Sequence, residues 1–547
     1  MSHIVCFLFA LAPCLSSCTS GPRREETPVH FVEQTIPSGL NFTHYNGAQG
    51  NYYYPETMGS GAAFFDYDGD GWQDIYLING APLDAPSPDP LPTNQLYRNV
   101  GNGTFANRTI ASGSGDSGYG MGCAAADYDN DGDQDLYLTN FGPNALYRNE
   151  GMGRFADLTR ETGVGDARWG TGCGFLDYDR DGDLDLFVVN YVRYEIEGDF
   201  VCRRGSLRSY CPPSSYKPAG DILYRNDGGT FTDVTREAGI DQKGWGLGLA
   251  FSDFDLDGDT DIYVANDGSM NFLYENRAGH FTDTGLQAGV RFNQNGLAEA
   301  GMGVDFGDFD NDGKQDIFVA NFAFETNTLY HNSGQGRFQD FTASSGLESP
   351  SFLPLGFGTR FLDFDNDTDL DLVVGNGHVI DIIAQTDSNQ VHAQRNQLLR
   401  NDGGSRFTDV SNQGGTAFEI ENVARGLATA DYDNDGDQDI LIAATGASPQ
   451  LLRNDGGNRN HWLIIHLQGK VQRDALGARV TLTAGGIRQV KERQSGGSYL
   501  SSHDPRLHFG LGQATHATVE VRWPDGQIQT LSRVRADQIL HLVQPPD

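Results

Sequence analysis

The chain has 547 residues, too long for one ordinary globular core, so two or more domains or a repeat array are expected. Its formal charge of -36, from 74 acidic against 38 basic residues, argues against sequence-independent binding to nucleic-acid phosphates. With 38% hydrophobic and 11% aromatic residues it is no disordered acidic tail, and its 70 glycines and 21 prolines, spread along the whole length, point to many short strands and an all-β fold.

The first 18 residues read as an export signal. Residues 4–15 are apolar and too short to stay as a membrane-spanning helix, and Leu15-Ser16-Ser17-Cys18 resembles a bacterial lipobox, which makes Cys18 the lipidation site. Residues 19–30 follow as a polar tether, although Met1-Ser2-His3 lacks the usual basic residue. The expectation is an outer-membrane or cell-surface lipoprotein, otherwise periplasmic or secreted, that meets a membrane only through its lipid anchor.

From residue 31 to 457 a nine-residue segment recurs seven times, with a mean period of about 61 residues. The proposed ligands in the first copy, 66–74 (DYDGDGWQD), are Asp66, Asp68, Asp70, Trp72 and Asp74. Copies two and three place Asp127, Asp129, Asp131, Asp133 and Asp135, then Asp177, Asp179, Asp181, Asp183 and Asp185. Copies four and five place Asp253, Asp255, Asp257, Asp259 and Asp261, then Asp308, Asp310, Asp312, Lys314 and Asp316. Copies six and seven place Asp363, Asp365, Asp367, Asp369 and Asp371, then Asp431, Asp433, Asp435, Asp437 and Asp439. Carboxylates at positions 1, 3 and 5 converge if Gly at position 6 turns the chain tightly; position 7 adds a backbone carbonyl and position 9 another carboxylate. An oxygen-only shell suits a hard cation, and Ca²⁺ at about seven sites is the expected cofactor. Thr368 stands where the other copies have Gly, so the sixth site should be the weakest. These loops carry most of the acidity: their 33 aspartates, less Arg180 and Lys314, leave only -5 for the rest of the chain.

Each loop lies between apolar, β-branched or aromatic runs. It is preceded by closely spaced glycines such as Gly59 and Gly61, and followed by a second strand, a third ending in Leu-Tyr-Arg-Asn (Leu96 to Asn99), and a fourth of the form Phe-x-Asp-x-Thr (Phe155 to Thr159). Four strands in seven units describe a seven-bladed β-propeller whose glycines let inner strands crowd the axis. One fourth-strand copy, at Phe31, precedes the first loop and none follows the seventh, so the N-terminal segment should close the last blade.

Residues 458–547 alternate apolar and polar runs between Gly and Pro-Asp-Gly turns, a small β-sandwich-like domain. Its six histidines, including His461, His466, His503, His508 and His541, read as surface or turn residues. The repeats resemble the FG-GAP/VCBS units of integrin α-subunit heads and bacterial surface proteins. The stretches Asn460-His461-Trp462-Leu463, Tyr499-Leu500-Ser501-Ser502, His508-Phe509-Gly510-Leu511-Gly512 and Trp523-Pro524-Asp525-Gly526 resemble the ASPIC/UnbV domain. The whole chain is similar to the cartilage acidic protein family, which implies a secreted calcium-binding propeller and names no reaction.

Two insertions follow second strands and should emerge opposite the calcium loops. The first holds Arg203, Arg204, Arg208, Tyr210 and Tyr216, with Cys202 and Cys211 spaced for a disulfide; the second holds His378, Asp381 and His392. This basic and aromatic patch suits an acidic glycan or protein segment. The expected function is therefore a surface binding or adhesion module for an unknown protein or glycan. The alternative is a polysaccharide lyase or hydrolase on that same face, for which His378 with Asp381 is the pair to test.

Overall fold

A computed structural model describes residues 29–84 and 87–546 of the chain. The export signal and Cys18 lie outside the described residues. Among those described, seven four-stranded antiparallel sheets each place the strand before an acidic loop innermost, then the strand after it, then a third strand with Asn at or near its end, then an outer strand. Blade 1 runs Ala62–Phe65, Asp74–Leu77, Gln95–Asn99 and Phe105–Asn107. The innermost strands of successive sheets touch in an unbroken cycle that returns from Ala424–Ala430 of blade 7 to blade 1. The result is a closed propeller.

The ring closes through the N-terminus. His30–Glu33 pairs antiparallel with Gln450–Asp455 and becomes the outer strand of blade 7. Phe31 is fully buried there, edge-on to Phe418 at 5.5 Å and to Phe364 at 6.3 Å. This pairing removes an exposed edge at the one seam where a propeller could open.

The propeller core is divided into interfaces. Seven apolar clusters each fill the space between two neighbouring sheets; Phe65 and Ile78 of blade 1, for example, meet Cys123 and Leu136 of blade 2. Cys123 and Cys173 are buried strand residues within these clusters. The inner glycines allow the close approach: a Cβ on Gly248 would stand 2.1 Å from the Met302 carbonyl oxygen of the next blade. Hydrogen bonds tie the same neighbours. The Asn at or near the end of each third strand donates its Nδ2 to the carbonyl of the aromatic residue at position 2 of the preceding blade's loop. Examples are Asn99 to Tyr432 and Asn149 to Tyr67, both at 2.8 Å, and the bond recurs in all seven blades at 2.8–3.1 Å.

The C-terminal domain is a sandwich. A three-stranded sheet (Leu507–Gly512, His461–Gln468, Gln538–Val543) faces a four-stranded one (Ile487–Glu492, Arg479–Ala484, His516–Arg522, Ile528–Arg535) across a core that includes Leu463, Phe509, Val519 and Trp523. Its residues 493–506 leave the sandwich and enter the propeller axis. Ser498 exchanges backbone hydrogen bonds with Val304 at 3.1 Å in both directions. Ser502 bonds Ala62 and Phe64, Leu500 accepts from Cys123, and the Thr359 amide donates to Ser498 Oγ. Tyr499 is fully buried, its hydroxyl donating to the Met58 carbonyl at 2.9 Å and its ring 4.9 Å from Phe357. The inner edges of the blades would otherwise present unpaired amides and carbonyls to a narrow channel, and the plug pairs them.

Two of the domain's histidines depart from the surface reading. His503 and His508 are buried because the plug and the strand after it pack against blade 7, where the Thr429 amide donates to His503 Nδ1 at 3.1 Å. Phe31→Ala is expected to cost about 3–5 kcal/mol, read as a lower urea midpoint. An unchanged midpoint would show that the N-terminal strand stands outside the cooperative unit.

Candidate functional site

The seven acidic loops share one hydrogen-bonded frame. In copies one, two, six and seven the position 1 carboxylate accepts the amides of positions 5 and 6: Asp66 takes Asp70 at 3.0 Å and Gly71 at 2.7 Å, and Asp431 takes Asp435 and Gly436, both at 3.0 Å; Asp177 and Asp308 accept the position 6 amide. In every copy the position 5 Oδ1 accepts the position 7 amide, as Asp131 does from Asp133 at 2.9 Å. Position 4 also lies in the left-handed region in all seven copies, with φ between 54° and 69°, which is why Asn fills it in four of them. The Gly requirement at position 6 was legible in the sequence; this second left-handed residue was not.

This frame brings the predicted ligands together. Oxygens of Asp66, Asp68 and Asp70, of Asp127, Asp129 and Asp131, of Asp177, Asp179 and Asp185, and of Asp253, Asp255 and Asp261 lie within 4.8 Å of one another in each group. Oδ1 of Asp68, Asp129, Asp179 and Asp433 is buried with no hydrogen-bond partner, as is Oδ1 of Asp177 and Asp253. Buried carboxylate oxygens that face one another without donors fit a hard cation. In the fifth group, Asp310 and Asp312 meet His331, whose Nε2 is 3.0 Å from Asp310, and the Lys314 ammonium pairs with Asp312.

Positions 7 and 9 do other work besides. The position 7 side chains of Asp183 and Asp259 accept amides from the turn after strand three, leaving the backbone carbonyl as the group that position can offer. The position 9 carboxylate is buried in every copy and braces two segments. Asp74 Oδ2 accepts from Tyr67 at 3.1 Å and Oδ1 from Asn99 at 2.7 Å, a pattern repeated through Asp439. Since Asn99 also bonds the neighbouring blade, loop geometry passes directly into the blade interface.

Copy six keeps the frame at a conformational cost. Thr368 holds φ at +90°, and its amide and that of Asp367 reach Asp363 at 2.9 and 3.0 Å. A β-branched residue is disfavoured in this region, so the expected weakness of this site has a backbone cause.

The C-terminal domain sits on the loop face. Asp474 accepts the Asp127 amide, Glu492 the Asp253 amide, and the Gly512 amide donates to Asn366. Arg479 bonds the Gly313 carbonyl, Arg506 the Asp431 carbonyl, and His508 the Gly436 carbonyl. The sequence identified this domain but not its docking.

The insertions lie at the other mouth of the axis. Cys202 and Cys211 form a disulfide with a Cα separation of 5.2 Å, beside the hairpin Cys202–Arg204 and Leu207–Ser209. Arg203, Arg204 and Arg208 are exposed, and Arg208 donates to the Asn51 carbonyl with its guanidinium 5.7 Å from the Tyr52 ring. Tyr210 is half-buried and donates to Glu56 at 2.8 Å. Tyr216 does not offer its ring to a ligand: it is buried in an aromatic cluster with Tyr54, Trp169, Tyr191 and Tyr194 that fills the mouth. His378 is likewise buried, with its Nδ1 accepting from Ile380 at 3.0 Å and burial pushing its pKa to about 3. Asp381 is exposed, His392 is half-buried, and no hydrogen bond joins His378 to Asp381 among the described residues, so the sequence-suggested acid-base pair is not assembled.

Burial raises the loop carboxylates in the chain without an ion: Asp127, Asp177 and Asp308 to about 7, Asp431 to about 8, Asp74 and Asp185 to about 9. The folded chain thus keeps protons that the unfolded chain, at 3.8, has released, so metal-free stability falls as pH rises from about 4 towards 9. A cation needs the ionised form, so the loss of melting temperature on chelation should be larger at pH 7.5 than at pH 5. A loss independent of pH would contradict this. Thr368→Gly should raise the melting temperature, by relief of strain worth about 1 kcal/mol; a fall would show that the threonine methyl or hydroxyl outweighs the backbone cost.

Comparison with known proteins places these features. The FG-GAP-like repeat matches residues 66–138, 127–188, 214–264, 253–319, 308–374 and 378–442, and the ASPIC and UnbV domain matches residues 468–547. Cartilage acidic protein 1 of Mus musculus is 28% identical over 324 residues, covering 58% of this chain and 48% of that protein. The Homo sapiens protein is 28% identical over 325 residues, covering 58% and 46%. The chain thus spans about half the length of the curated relatives it matches. Among solved structures, an Agrocybe aegerita lectin that recognises non-reducing terminal N-acetylglucosamine has a TM-score of 0.38 at 17% identity, covering 72% of this chain and 87% of its own. Rhamnogalacturonan lyase YesW has a TM-score of 0.37 at 13% identity, covering 72% and 71%. With its repeats, loops and terminal domain all matched, the chain belongs to the FG-GAP-like repeat proteins that carry a C-terminal ASPIC and UnbV domain.

Proposed function

We propose that the chain is an exported, calcium-stabilised propeller that serves as an extracellular interaction module for a protein or glycan. The observation that carries the metal assignment is the set of buried, partnerless carboxylate oxygens at positions 1 and 3 of the loops. Oxygen ligands from carboxylates and a backbone carbonyl favour calcium over softer transition metals. The apolar signal-like segment at residues 4–15 and the similarity to cartilage acidic protein 1 support an extracellular setting, where calcium is abundant. With the C-terminal domain over the loops and its plug in the axis, the partner face is the opposite one, where Arg203, Arg204 and Arg208 are exposed.

At about 1 mM free calcium and a site Kd of about 0.1–1 mM, each site contributes about 0.4–1.4 kcal/mol. Chelation should therefore lower the melting temperature sharply, and magnesium should restore less of it than calcium; no change on chelation would remove calcium from the reading. A glycan array and a pull-down of surface proteins, each with the whole chain and with Arg208→Ala, test the partner face. Capture weakened at least tenfold in the variant is expected. Full capture by the variant would move the partner away from this face.

A further inference from the structure

The seven loops do not all face the same neighbour. The residue before the Asn of each third strand stands near the position 3 carboxylate of its own loop, as at Arg98, Arg148 and His331. In blades 1, 2, 3, 6 and 7 that residue is arginine: Arg98, Arg148, Arg225, Arg400 and Arg453. Side chains two residues apart on a strand share a face, so an acid two positions further on can take the guanidinium. Four of these blades have one. Arg148 pairs with Glu150, Arg225 with Asp227 at 2.9 Å, Arg400 with Asp402 at 2.8 Å and Arg453 with Asp455 at 2.8 Å. In blade 2 this leaves Arg148 Nε 3.9 Å from Asp129.

Blade 1 has Val100 at that place, exposed and with no side-chain acceptor to offer. Arg98 turns to the loop instead, its Nε 2.5 Å from Asp68 Oδ2 and its Nη2 2.8 Å from Asp70 Oδ2. Those carboxylates hold positions 3 and 5 of a loop that has four aspartates where five of the copies have five. Loop five, also with four, is the parallel case: His331 Nε2 stands 3.0 Å from Asp310, and the Lys314 ammonium pairs with Asp312. Blade 4 reverses the charges. Glu275 takes the arginine's place, adds to the negative charge felt by Asp255, and is bonded by Arg277.

Taking calcium as the cation of the loops, as above, we propose that this third-strand side chain sets the calcium affinity of its loop, and that Arg98 makes loop one a low-affinity site that fills after loops two and three. Calcium affinity follows the charge of the ligand set, and a guanidinium on two of four carboxylates offsets one of those charges; a unit charge at such range weakens binding about tenfold. The effect is separate from the backbone cost at Thr368, because Gly71 fills position 6 of loop one. The first repeat is also tied to loop seven: Asn434 donates to the Gly71 carbonyl at 3.1 Å, and Asn99 donates to Tyr432 at 2.8 Å. Loading of loop one is therefore felt at the interface of blades 7 and 1.

The test is calcium titration of the chelated whole chain, followed by calorimetry and by tryptophan emission. Trp72 is position 7 of loop one, so the emission lost in Trp72→Phe, which keeps the backbone carbonyl, reports that loop. Val100→Glu gives Arg98 the acceptor that four other blades possess, and Arg98→Ala removes the charge; both side chains are partly exposed, so the fold is kept. Each variant should lower the calcium concentration at the Trp72 midpoint about tenfold. Glu150→Ala, which frees Arg148 for Asp129, should weaken one calorimetric site by a similar factor, and adding Arg148→Ala should restore it. Three results would overturn the assignment: a Trp72 midpoint unmoved by both blade 1 variants; an emission that calcium leaves unchanged in these variants and in the unaltered chain; or a Glu150→Ala chain that binds calcium as tightly as the unaltered one. In each case calcium bound at the other loops would leave the proposed function standing. No calcium bound by any of these chains would remove that function and the affinity rule together.

Discussion

Groups of like-charged carboxylates held within 4.8 Å of one another, recurring round a ring, are the constraint on which this molecule turns. Such oxygens repel, and several are buried without a donor. The loop backbone answers part of the charge through amides at positions 5, 6 and 7, and the cation we propose answers the rest. The consequences spread outward through short links. Position 9 ties each loop to an Asn on strand three, and that Asn bonds the preceding blade. The C-terminal domain then bonds carbonyls and amides of the same loops. A change in one loop is therefore felt at a blade interface and at a domain interface together.

This arrangement gives the two faces of the propeller different chemistry. The loop face is covered by the C-terminal domain, whose plug pairs the inner strand edges and fills the axis with Tyr499 and Leu500. A ligand passing through the channel has no path. The other mouth is sealed by aromatic rings, with Tyr54 and Tyr191 hydroxyls 2.5 Å apart and Tyr191 bonded to Asp267, and it presents its charged groups outward from the disulfide-bonded insertion.

Much of this was legible in the residues. The Asp spacing, the position 6 glycine, the paired inner glycines and the unpartnered fourth-strand motif at Phe31 each have a local cause, and the structure realises them in loops, close approaches and the closing strand. What was hidden depends on partners distant in sequence. Leu-Tyr-Arg-Asn reads as a strand end, yet its Asn acts across the blade boundary. Tyr499-Leu500-Ser501-Ser502 reads only as a stretch shared with the ASPIC/UnbV domain, yet Tyr499 meets Met58 and Phe357. His378 and Tyr216 sit in insertions whose composition suggests exposure, but neighbouring insertions and inner strands enclose them. Composition cannot say which side of a loop packs.

The most direct measurement is elemental analysis of the purified whole chain after desalting from calcium-containing buffer, paired with titration of the chelated chain. The expected result is close to seven calcium ions per chain, with Thr368→Gly tightening one site and leaving the others unchanged. Two calcium ions or fewer, with the chelated chain as stable as the loaded one at pH 7.5, would contradict the claim that cations hold the ring together.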